Sequence, residues 1–158
     1  MSKRKAYRPK QVNPLAHIVA FQGSHILSKP DQLKQALNLA TAVSNISKTG
    51  GLKEDWLIVF DVVNMVNVMD DEGRVIQGAA EFVGRCQDVA EAAMDRRKTG
   101  TAALKAGELQ TLRELQTLWA EILGGMTYSD WARCTKAVAL RVASALVHGT
   151  KSKVLEAA

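Results

Sequence analysis

Fourteen residues in the middle of the chain, Trp56 to Met69, read WLIVFDVVNMVNVM, and eleven of the fourteen are apolar. The polar ones, Asp61, Asn64 and Asn67, recur every third residue, so on a helix they form one narrow stripe and leave the rest of the circumference apolar. A helix of that kind belongs in the middle of a fold. The competing reading is a buried strand, because Leu57 to Phe60 followed by Asp61 resembles the hydrophobic run and carboxylate that close a strand in phosphate-binding folds. Length argues for the helix: fourteen residues at about 3.3 Å each outrun a usual strand, and the polar period is three rather than two. Ile58, Val59, Val62, Val63, Val66 and Val68 each cost roughly 0.5 kcal/mol of helix propensity. Burial at about 1.5 to 3 kcal/mol per large side chain outweighs that.

A chain of 158 residues can bury roughly 70% of its unfolded surface around a single core. The expected organisation is one helical domain over residues 13–150, between a basic flexible arm at 1–12 and a frayed end at 151–158. Aromatic residues make up 5% of the chain, and its three prolines all fall within the first thirty residues, as suits a helical protein. Two cysteines, no long apolar run and no secretory leader point to a soluble protein of the cytoplasm with Cys86 and Cys134 as free thiols. The net charge of +5 is unevenly distributed. Five of the 21 basic residues lie in the first ten positions, which hold no acid, leaving 16 basic against 16 acidic groups in the rest. The body is neutral and the arm carries the charge.

Start and stop signals divide the remainder. Asn13-Pro14 opens a short helix to about Leu27, with Leu15, Ile18, Val19 and Phe21 on its apolar side. Pro30 and Asp31 open a second, whose face is read as Leu33, Ala36, Leu37, Ala40, Val43 and Ser44, and Gly50-Gly51 stop it. Glu54 and Asp55 open the central helix. At least two of Asp70, Asp71 and Glu72 are placed beyond its end, since acids oppose the dipole there. Arg74 to Lys98 reads as one long helix in which Gly78 and Gly84 imply a close helix crossing or a local break. Glu108 to Leu123 carries Leu112, Leu115, Trp119 and Ile122. Thr127 and Asp130 form a capping box before a last helix with Trp131, Cys134, Thr135, Val138, Val142, Ala145 and Leu146 on its face. The fold class is all-α: a compact antiparallel bundle of five to six helices.

Catalytic and metal chemistry find little support. There is no GxxxxGK and no GxGxxG loop. The Lys-Thr-Gly triplets at Lys48 and Lys98 make sense as helix stops. His17, His25 and His148 offer no i,i+4 pair, and the cysteines are far apart, so neither metal nor cofactor is expected. Cys86 and Cys134 fall on apolar faces as core residues. Two features remain. The Asp61, Asn64 and Asn67 stripe is a solvated seam, a hydrogen-bonded network inside the bundle, or a polar binding site. The arm, with Lys3, Arg4, Lys5, Arg8 and Lys10 around Tyr7, is a solubilising tail or a grip for nucleic-acid phosphates on which Tyr7 stacks against a base.

The Lys-Arg-Lys-Ala-Tyr-Arg-Pro-Lys opening, Trp56 followed by Val63-Asn64, and Gly107-Glu108 leading into Leu-rich helices resemble a group of small uncharacterised proteins encoded by phages and prophages of proteobacteria. The resemblance implies a phage context in the host cytoplasm and brings no activity and no functional residues. The expectation is therefore a non-enzymatic phage accessory protein that binds a host or phage protein, as a regulator or a counter-defence inhibitor of the anti-CRISPR kind. The alternative is a nucleic-acid-associated protein acting through the arm. Self-association through the Gly78 to Gly84 region or the last helix is a further expectation, and no membrane partner is expected.

Overall fold

A computed structural model describes residues 24–73, 79–100 and 103–148. Five helices account for nearly all of them: α1 (Lys29–Thr49), α2 (Lys53–Asp71), α3 (Ala79–Lys98), α4 (Ala106–Gly125) and α5 (Tyr128–His148). The apolar stretch is the axis. α2 packs against all four other helices, α1 and α3 each pack on α4 as well, and the α5 backbone packs on α2 alone. From Trp56 to Met69 every residue is buried or half-buried except Asp61. The cost in propensity of the valines is met by sealing Val59, Val63, Val66 and Val68 from water together with Trp56.

The α1–α2 corner shows how the local chemistry works. Gly50 and Gly51 both take positive φ, at 80° and 70°, which ends α1 and reverses the chain. A Cβ on Gly51 would lie 2.5 Å from Ile46 Cγ1, so glycine is required there twice over. The buried Asp55 accepts from the Leu52 amide at 2.8 Å and from Asn45 Nδ2 at 2.9 Å. Trp56 Nε1 donates to the Gly50 carbonyl at 3.0 Å. The corner is hydrogen-bonded from the inside, satisfying groups that helix ends otherwise leave open.

Several expectations need correction. Residues 24–28 are not helical: Ile26 forms an antiparallel bridge with Thr127, Leu27 donates to the Met126 carbonyl at 2.8 Å, and Tyr128 donates to the His25 carbonyl at 3.0 Å. The upstream part of that helix, and the arm with Lys3, Arg4, Lys5, Tyr7, Arg8 and Lys10, lie outside the described residues. On α1 the buried face is Leu39, Ala42, Val43 and Ile46, while Leu33 and Leu37 are 59% and 54% exposed. The periodicity was right and its phase was set by α2 and α4. Asp70 and Asp71 both remain in α2, with Glu72 at its end. Arg141 offsets the adverse dipole by pairing with Asp71 at 2.9 Å, and Arg133 by pairing with Glu72 at 3.0 Å. α3 runs without a break through Gly84, where an added Cβ would meet nothing within 4 Å. Gly78 lies outside the described residues.

Other signals read correctly. Ser28 caps α1 by accepting from the Asp31 amide at 3.2 Å, with Pro30 in the first turn. Thr127 Oγ1 accepts from the Asp130 amide at 3.0 Å while Asp130 accepts from the Thr127 amide at 3.3 Å, closing the capping box of α5. Both cysteines are fully buried and free. Burial pushes the Cys86 thiol up to about 12 and the Cys134 thiol upward as well, which leaves both unreactive near neutrality. Among the described residues, no helix is long and apolar enough to cross a membrane.

Candidate functional site

Because the α5 backbone packs only on α2, a trough of about 600 Å³ opens between α1 and α5. α2 supplies its floor through Ile58, Val62 and Met65, at i, i+4 and i+7, with Asp61 beside them. α5 supplies one wall through Trp131, Val138 and Val142, with Thr135, Ala139 and Ala143 between them. The opposite rim is polar, Gln35 and Asn38 of α1, and Trp119 of α4 lines the trough as well. The rings of Trp119 and Trp131 are in tilted contact.

Two tethers hold α5 in a position that keeps the trough open. At its start, Tyr128 donates its hydroxyl to Asp31 at 2.5 Å and accepts from the Ser28 amide at 3.2 Å, tying the first turn of α5 to the first turn of α1. Hydrogen bonds from Ser28 and Tyr128 hold the Asp31 carboxyl below the usual aspartate range. Further along, the Arg133 and Arg141 pairs fix α5 to the end of α2.

The polar stripe is thereby divided. Asn64 and Asn67 are 5% and 4% exposed and pack inside the bundle. Asp61 emerges in the trough. Among the described residues it is the one ionisable group lining that surface, and it has neither a hydrogen-bond nor an ion-pair partner there. Asp61 is open to water on one side, and the apolar walls beside it partly desolvate its carboxyl and raise it above the ordinary aspartate value of 3.8. A second polar group is buried beneath the trough: the Trp119 indole Nε1 has no acceptor among the described residues. A buried donor without a partner is uncommon in a folded protein.

Among the described residues, no group of three or more His, Cys, Asp or Glu side chains could hold a metal ion. The trough can do one thing chemically: desolvate apolar side chains while presenting a single carboxylate. The sequence marks Asp61 only as one of three stripe residues, with Asn64 and Asn67, and carries no sign of the Trp119, Trp131 and Val138 surface around it. That surface depends on which neighbours of α2 fail to touch. No protein-family model, curated protein or solved structure matches this chain.

Proposed function

We propose that the protein is a non-enzymatic binding module that acts by seating part of a host or phage protein in the α1–α2–α5 trough. Phage accessory function, as a regulator or counter-defence inhibitor, is the setting this reading takes from the resemblance of its basic opening and its helical words. One observation carries it: an apolar trough lined by Trp131, with a carboxylate that has no partner among the described residues, left open where α5 packs its backbone only on α2. Exposed apolar surface of this kind, rimmed by polar residues, is typical of interaction sites.

Ala139 is exposed on the trough wall, so Ala139→Arg fills the trough without disturbing the core. Affinity capture from host and infected-cell lysates with the full chain and with this variant tests the reading. A protein retained by the unaltered chain and lost with Ala139→Arg supports it. Identical captured sets rule the trough out as the binding surface.

The second reading, nucleic-acid association, rests on five cations without an acid in the first ten residues. It requires binding to DNA or RNA at low salt that falls steeply as salt rises and disappears when residues 1–10 are removed.

A further inference from the structure

We infer that the trough is built for one amphipathic helix of a partner protein, with a lysine or arginine in the middle of that helix's apolar face seated on Asp61. The inference rests on the binding reading above and specifies the chemistry of the occupant.

The shape comes first. The walls are two helices joined at their first turns by Tyr128 and Asp31 but with no backbone packing between them, and the floor is a third. Lining residues on α5 run from Trp131 to Ala143, ~18 Å at 1.5 Å per residue, or about three helical turns. A groove of this form accepts the apolar face of a helix through anchors at i, i+3 or i+4, and i+7.

The charge comes second. Nearby acids already have partners: Asp71 has Arg141, Glu72 and Asp130 share Arg133, and Asp55 has Asn45. Arg133 and Arg141 of α5 are therefore engaged, and among the described residues no cation pairs with Asp61 beside Ile58, Val62 and Met65. Closing an apolar face over that carboxylate would strand it, which is costly unless the incoming face carries a cation. The half-buried ring of Trp131 gives that cation a π face at the same wall.

The test uses the full chain and three synthetic helical peptides with leucines at i, i+3 and i+7. Position i+4 is Lys in one, Gln in the second and Glu in the third. Binding is read from tryptophan emission. The lysine peptide is expected to bind roughly tenfold or more tightly than the glutamate peptide, and Asp61→Asn is expected to abolish that preference while leaving the circular dichroism of the bundle unchanged. A preference of the same size in Asp61→Asn, or tightest binding by the glutamine peptide, overturns the inference. So does displacement of the lysine peptide by a peptide of residues 1–23 at lower concentration, which would assign the trough to the chain's own leader. If no peptide binds while a captured protein is still lost with Ala139→Arg, the binding reading stands and this inference falls. If neither effect is seen, both fall.

Discussion

The indole rings of Trp119 and Trp131 lie 6.2 Å apart, centroid to centroid, inclined at 45°, and they bring together two helices, α4 and α5, whose backbones do not otherwise pack. Trp119 is 1% exposed, whereas Trp131 is half-buried and faces the trough. Trp56 is also sealed in the core. Iodide should therefore quench a single class of tryptophan in this protein. Trp131→Phe is expected to keep the fold and to remove most of the quenchable emission. Unchanged quenching in that variant would mean that Trp131 is not the exposed ring.

Arg96 and Glu108 clamp the end of α3 to the start of α4 through two parallel hydrogen bonds of 2.9 and 2.5 Å. The pair is mostly buried, and Glu108 also accepts from the Lys105 amide at 2.8 Å. Burial pushes the Glu108 carboxyl up, but the Arg96 and Lys105 contacts outweigh it and hold it below its ordinary value of 4.5. Its contribution to stability is thus full above pH 4.5 and is lost as pH falls through the lowered folded value. Glu108→Gln should cost about 2 kcal/mol at neutral pH. Urea unfolding across an acid series should show the gap between wild type and variant narrowing below pH 4.5; a gap that persists would assign the loss to packing.

Two glycines should respond in opposite directions to the same substitution. Gly84 sits in the interior of α3 with open space around it, so Gly84→Ala is expected to stabilise by about 0.5 to 1 kcal/mol. Gly51 has φ of +70° and Ile46 in the way, so Gly51→Ala is expected to destabilise by about 2 kcal/mol. Thermal melts of the two variants check both signs. A destabilising Gly84→Ala would reveal a contact at that face, such as a second copy of the chain, and would favour self-association there.

These relationships differ in how far the sequence discloses them. The central helix could be read because its signal is local: an apolar run too long for a strand, with polar residues at a spacing of three. The Thr127 and Asp130 box was also local, since both halves lie within four residues. The fate of the polar stripe was not. A spacing of three advances each side chain by about 300°, so successive residues drift by about 60°, and Asn67 lies a third of the circumference from Asp61. Three residues that look like one stripe face different neighbours, and only packing decides which of them meets water. The phase of α1 was lost for the same reason: Leu33 and Leu37 match the helical period as well as Leu39 and Val43 do, and α4 chooses between them. The retention of Asp70 and Asp71 in α2 depends on Arg141 and Arg133, more than sixty residues away in sequence.

Asp61 is the central residue because, among the described residues, its exposed carboxylate has no partner and lies beside apolar walls. A folded-state value above 3.8 means that ionisation opposes folding: Asp61 is compatible with full stability below that pH and costs stability as pH rises through its raised value. Asp61→Asn should therefore be more stable than wild type at neutral pH and equal to it in acid.

The direct measurement is the titration of the Asp61 side-chain carboxyl by NMR in the full-length protein, assigned by comparison with Asp61→Asn. A midpoint above 3.8 that moves back down when the lysine peptide is added is the predicted result. A midpoint at or below that value in the free protein, unmoved by the peptide, would show a carboxylate already solvated or paired, and would contradict the trough as a site that waits for a cation.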